Sequence, residues 1–217
     1  VVGSLKSGVY DGTPHGGFYT QEQVKELVKY AAERYVTIIP EIELPGHSGA
    51  AIAAYPWLSC TPDEPKEVVT SWGVKTDVFC PSPRTFKFLE DVFDEVLELF
   101  PSPYYHIGGD ECPKDAWRAS KYCHHLADSL GLSSVDDLQS YFVKHFDSYL
   151  RERGKTVIGW DEILDGSAVP STVVMSYRGH APASRAFAKD MKVILAPNRW
   201  CYYDYDQEEV KDDPFYH

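Results

Sequence analysis

Apolar positions along this chain follow two periods that take turns. Over 20–34, Val24, Leu27, Val28 and Ala31 fall three and four apart, the spacing of one helix face. Thr20 stands where an N-cap belongs, with Glu22 and Gln23 in the first turn. Residues 36–39 form a β-branched run that predicts a strand leading into Pro40 and Glu41. Residues 55–83, rich in Pro, Ser and Thr, read as an excursion. The helical period returns over 84–100, with Phe88, Val92, Phe93, Val96 and Leu99 on the apolar side. Residues 104–109 read as a short buried strand. Two helices follow, about 113–130 and 135–152, parted by Gly131. Residues 155–159, 172–176 and 193–196 read as strands, with a helix over 181–189.

Strands that alternate with helices predict a parallel sheet. Five such strands in 217 residues fit most, not all, of a (β/α)8 barrel, which typically needs about 250 residues. The expected fold is therefore α/β, a (β/α)8 TIM barrel lacking its first strands and its last, with 1–217 lying inside a single domain. Neither end of the chain reads as a natural start or stop, and the chain is expected to be a stretch of a longer protein.

Composition narrows the partners. No apolar run is long enough to span a membrane. The formal charge is −12, from 21 Lys and Arg against 33 Asp and Glu, and with no basic stripe this argues against nucleic acid. Aromatic residues make up 14%, including five Trp and fifteen Tyr, and flat rings with polar edges suit sugars. Five cysteines, at 60, 80, 112, 123 and 201, form no closed disulfide framework. Cys60 with Cys80, or Cys112 with Cys123, could be bridged in an oxidising compartment; buried free thiols are the equal alternative. No Cys-x-x-Cys spacing is present, so no metal is expected, nor any cofactor.

The densest chemistry is Tyr105-His106-Ile107-Gly108-Gly109-Asp110-Glu111. Two glycines remove side chains where a ligand or another backbone comes close. An acidic pair at the end of a strand is where α/β enzymes place their chemistry. Neighbours on a strand point to opposite faces. Asp110 and Glu111 are therefore not expected to face each other across a scissile bond, as the carboxyl pair of an ordinary retaining glycosidase does.

Five segments in order resemble one family. His106-Ile107-Gly108-Gly109-Asp110-Glu111 resembles the signature of glycoside hydrolase family 20, the β-N-acetylhexosaminidases. Pro40-Glu41-Ile42-Glu43-Leu44-Pro45-Gly46-His47 resembles its Pro-Glu to Pro-Gly-His segment, and Gly159-Trp160-Asp161-Glu162 its Gly-Trp-Asp-Glu strand end. Met175-Ser176-Tyr177-Arg178-Gly179 is similar to a Met-Ser-Trp-Arg-Gly segment, with Tyr177 in place of tryptophan. Tyr202-Tyr203-Asp204 resembles the Tyr-x-Asp that closes the sugar pocket. Each follows an expected strand.

The resemblance implies a substrate-assisted, retaining hydrolysis of terminal β-linked N-acetylhexosamine from glycans, in which the 2-acetamido carbonyl attacks the anomeric carbon and forms an oxazolinium ion. Glu111 would be the general acid and base, its pKa raised by desolvation and by the charge of Asp110. Asp110 would accept the acetamide N–H. Tyr202 would donate to the acetamido oxygen, and Trp160 and Tyr177 would wall the methyl. Glu162 and Asp204 are candidates for sugar hydroxyls, and His47, His106 and Glu41 for support of the carboxylates. A periplasmic or secreted setting and a homodimer of the parent also follow from the resemblance. The family's early arginine and late tryptophan have no counterpart within the chain. Two other readings use the same residues: a carbohydrate-binding relative without catalysis, and a metal-dependent hydrolase built on His47, His106, Asp110 and Glu111.

Overall fold

The computed structural model describes residues 13–14, 16–71 and 73–204. Its centre is a sheet of four parallel strands in the order β1-β2-β3-β4: β1 Tyr104–His106, β2 Thr156–Trp160, β3 Val173–Ser176 and β4 Lys192–Leu195. Chain order equals sheet order. Consecutive parallel strands need long crossovers, and helices supply two of the three. Between β1 and β2 run α4 Asp115–Ala119, α5 Lys121–Ser129 and α6 Leu138–Arg151. Between β3 and β4 runs α7 His180–Phe187. Ahead of the sheet lie α1 Gln21–Ala32, α2 Gly49–Ala54 and α3 Pro83–Leu99, and behind it α8 Asn198–Cys201. This is the α/β class expected, a run of consecutive units of a (β/α)8 barrel.

Local chemistry explains the helix ends. Thr20 and Gln23 form a reciprocal capping box: the Thr20 hydroxyl accepts from the Gln23 N–H at 3.2 Å, and the Gln23 carbonyl oxygen accepts from the Thr20 N–H at 2.9 Å. Ser82 caps α3 through the Thr85 N–H at 3.1 Å, and Pro83 takes the first helical position, where no N–H is needed. Helices α3 and α6 meet through Phe86, Phe93, Phe142 and Phe146, all buried, and α6 also packs on β2. Trp117 is fully buried and donates its indole N–H to the Phe79 carbonyl at 3.0 Å.

Three expectations are corrected. Residues 36–39 are not a strand, and Val36 and Ile39 are exposed. Sheet contact is made further on. Pro40 O accepts from the His106 N–H at 2.9 Å, and Ile42 and Leu44 donate to His106 O and Ile107 O, both at 3.0 Å, giving a single parallel bridge between Glu41 and His106. Pro40 has no N–H to donate, so pairing begins only at its carbonyl. The 113–130 helix is two helices, parted at Ser120, whose hydroxyl accepts the Cys123 N–H and starts α5 afresh. A Cys112–Cys123 pair is not formed: Cys60, Cys80 and Cys123 come together as free thiols, and Cys112 lies elsewhere. The apolar face of α1 is largely uncovered among the described residues, where Ala31 is buried and Leu27 exposed.

Candidate active site

The site is built where β1 ends. Tyr105 and Ile107 are fully buried on one side of the strand, and His106 points to the other. Beyond Ile107 the backbone leaves the extended form: Gly108, Gly109 and Glu111 have φ of +67°, +96° and +43°. A Cβ at Gly108 would lie 2.0 Å from the Glu43 carboxyl, and one at Gly109 would lie 2.8 Å from Ile163, so both glycines are fixed by packing as well as by torsion. The Gly109 N–H donates to Glu43 Oε1 at 2.9 Å, and Gln139 donates to the Gly109 carbonyl at 2.6 Å. Gly46 is pressed to within 3.0 Å of the Asp110 carbonyl by the same measure, which brings the His47 loop against the acidic pair.

This bend takes Asp110 and Glu111 out of strand alternation. His47 Nε2 lies 3.3 Å from Asp110 Oδ2 and 3.4 Å from Glu111 Oε2, so both carboxylates meet one imidazole. The alternation rule fails because the strand stops at His106, four residues before the pair begins to matter. The desolvation expected of Glu111 is also not found: its side chain is 44% exposed, against 19% for Asp110, because the left-handed turn swings it to the open mouth.

His106 is buried and joins a second group. Its Nδ1 accepts the Gly108 N–H at 3.0 Å and lies 3.1 Å from Glu41 Oε1. One nitrogen cannot accept the first and donate to the second at once, so the ring tautomer chooses between them. With the proton on Nδ1, the His106 ring holds the Glu41 carboxyl below the usual range, helped by the Trp160 indole N–H, which donates to Glu41 Oε1 at 2.9 Å. His106 therefore supports Glu41 and Trp160, and His47 alone stands against the acidic pair.

The aromatic residues line up beside it. Trp160 meets Tyr177 edge-on at 5.4 Å, and Tyr177 stacks on Tyr202 at 6.4 Å. Tyr177, where the sequence departs from the tryptophan pattern, uses its hydroxyl to donate to Glu162 Oε1 at 2.7 Å. Burial pushes both the Tyr177 hydroxyl and the Glu162 carboxyl up in pKa. Asp161, fully buried, is the anchor of this wall. Its Oδ2 accepts the N–H groups of Tyr177 and Arg178, each at 3.0 Å, and its Oδ1 accepts from the Arg178 guanidinium. Asp204 is exposed and forms no hydrogen bond or ion pair among the described residues. A cleft of about 300 Å³ is lined by Glu111 and Glu162 together with Lys114 and Gln139.

Glu43 was not singled out from sequence. Burial, and then the charge of Asp110, push its carboxyl up to about 10, so it is a neutral acid beside Asp110 at ordinary pH. Its signal was available: Glu41 and Glu43 are two apart in an extended segment and so share a face. Asp110 Oδ1, Glu162 Oε2 and His106 Nε2 are buried without a hydrogen-bond partner among the described residues.

The parallel sheet thus gathers acids, histidine and aromatic rings at one end. The chain belongs to glycosyl hydrolase family 20: the model of that family's catalytic domain matches residues 2–217. A beta-hexosaminidase of Porphyromonas gingivalis is 48% identical over 206 residues, covering 94% of this chain and 26% of the relative. The structure of a beta-N-acetylhexosaminidase from Bacteroides fragilis superposes with a TM-score of 0.77 at 35% identity, over 93% of this chain and 40% of that one. An exo beta-N-acetylglucosaminidase from Vibrio harveyi, in complex with N-acetylglucosamine, gives 0.75 at 36% identity, over 84% of this chain and 29% of that one. The chain thus spans a quarter to two fifths of these relatives.

Proposed function

We propose that the protein hydrolyses terminal β-linked N-acetylhexosamine from glycans or glycoconjugates with retention, using the substrate's own acetamido group as nucleophile. The observation that carries this reading is the convergence of Asp110 and Glu111 on His47, next to the Trp160–Tyr177–Tyr202 wall. Two adjacent acids on one side of a pocket cannot supply a nucleophile and an acid on opposite faces of a sugar ring. They can protonate a leaving group and steer a neighbouring substituent.

In the first step the acetamido carbonyl oxygen bonds to the anomeric carbon as the glycosidic bond breaks. Glu111 gives its proton to the departing oxygen. The open position of Glu111 suits this, because an arriving sugar would cover it and favour its neutral form. Asp110 stays ionised and accepts the acetamide N–H, stabilising the positive charge of the oxazolinium. In the second step Glu111 takes a proton from water as that water attacks the anomeric carbon, which restores the acetamide and the starting protonation state. Trp160 and Tyr177 wall the methyl, and Tyr202 donates to the acetamido oxygen. Glu162, one oxygen of which is taken by Tyr177, offers Oε2 to a sugar hydroxyl, as does Asp204. His47 orients the acidic pair, and Glu41 and His106 hold Trp160.

The test uses the full-length enzyme. Glu111→Gln should lower turnover about 10²–10⁴-fold on an alkyl or sugar leaving group, and less on a good aryl leaving group, where protonation matters less. Replacing the substrate's acetamido group with hydroxyl should abolish hydrolysis. Wild-type rates for Glu111→Gln on an alkyl glycoside, or equal rates on glucoside and N-acetylglucosaminide, would refute the mechanism.

A further inference from the structure

Away from the acidic mouth, three cysteines from three separate segments meet. Cys60 follows the 3₁₀ turn Pro56–Leu58, Cys80 precedes α3, and Cys123 lies in α5. Their Sγ atoms all lie within 4.8 Å of one another, and Cys60 and Cys123 are 3.6 Å apart. Cys80 and Cys123 are buried, and Cys60 is partly open to solvent. In sequence they are 20 and 43 residues apart, so no short ligand spacing announces them.

We propose that Cys60, Cys80 and Cys123 bind one thiophilic d¹⁰ metal ion, Zn²⁺ or Cu⁺, as a three-thiolate site that clamps the 55–82 excursion to α5. The geometry favours an ion over a crosslink. Two thiolates on one zinc, at about 2.3 Å each and near the tetrahedral angle, stand about 3.8 Å apart. A disulfide would draw two of the sulfurs to about 2.0 Å and leave the third without a role. Only an ion engages all three. On binding, the thiol protons pass to solvent. The open side at Cys60 leaves room for water as a fourth ligand.

The clamp reaches the proposed catalytic loop through the backbone. Cys80 donates its N–H to Leu58 O at 2.7 Å, and Phe79 donates to Pro45 O at 2.9 Å. The Ser48 hydroxyl donates to Asp77 O at 3.3 Å. The segment that carries Cys80 is therefore the one that holds the turn around His47.

The experiment uses the full-length protein, reduced and stripped with a chelator, then titrated with Zn²⁺ and, separately, Co²⁺. One ion per chain should be retained. Co²⁺ should give an intense sulfur-to-metal charge-transfer band in the near ultraviolet, and bound Zn²⁺ should protect Cys60, Cys80 and Cys123 from alkylation. Cys60→Ser, at the partly open position, should lose the ion and the band, while Cys201→Ser should keep both. Protection measured on the wild-type protein does not depend on whether a variant folds. Three outcomes would overturn the proposal. One is a non-reducing peptide map that joins two of these cysteines. Another is equal alkylation with and without Zn²⁺. The third is a Co²⁺ spectrum without sulfur charge transfer, which would place the ion among His47, Asp110 and Glu111 instead.

Discussion

Glu43 shows how one residue sets the electrostatics of the mouth. The folded chain holds its proton up to about pH 10, whereas an unfolded chain releases it near 4.5. Between those values the folded state binds more protons, so this group's contribution to stability falls as pH rises. Glu43→Gln keeps the shape and removes the titration. In thermal melts of the full-length protein from pH 5 to 10, the variant should lose part of the wild-type decline in melting temperature. Parallel curves for the two proteins would show that Glu43 is not held neutral. At this scale the sequence exposed Asp110, Glu111, His47, Trp160 and Tyr202, because each sits in a dense motif. It did not expose the partition of the histidines. His47 and His106 look equivalent as letters. Only the bend at Gly108–Gly109 decides that one meets the acids and the other meets Glu41.

Elements with a long apolar period were legible, and those fixed by contact were not. Helix α3 stood out because Phe88, Val92, Phe93, Val96 and Leu99 recur at helical spacing, and the structure fills the layer between α3 and α6 with Phe86, Phe93, Phe142 and Phe146. Phe146 is fully buried against Phe86 and Phe93, with ring centres 5.9 and 5.1 Å away. Phe146→Ala should destabilise by about 3–5 kcal/mol, through lost burial and a cavity, and denaturant titration reads this as a lower midpoint with the same slope. A loss under 1 kcal/mol would mean that the helix layer is looser than drawn. The 36–39 run misled because β-branched composition marks a residue fit for a sheet without saying where the sheet is. The short helices α2 and α8, six and four residues, carry too few periods to announce themselves.

At the scale of the whole molecule, apolar surface is the notable feature. Leu27, Tyr35, Val36 and Ile39 are exposed, and β4 ends the sheet with Leu195 half open. Exposed apolar patches and free strand edges invite pairing with other chains. The 217-residue polypeptide, expressed alone, should self-associate in light scattering and show no hydrolysis. A chain extended by units that cover these surfaces should be monodisperse and, under the proposed function, active. A well-behaved, active 217-residue species would mean that these surfaces need no cover. Among the described residues no helix is long and apolar enough to cross a membrane.

His47 and Glu111, whose side chains meet at the mouth, both adopt left-handed backbone, with φ of +48° and +43°. Residues with a Cβ cost about 1–3 kcal/mol in such sparsely populated torsions, and glycine or asparagine sits there with less penalty. A search for hardier variants would thus rank Glu111→Gly and His47→Asn among its attractive changes. Each would relax the fold and remove a group the proposed chemistry requires. Selection for durability and selection for the proposed turnover pull in opposite directions at these two positions.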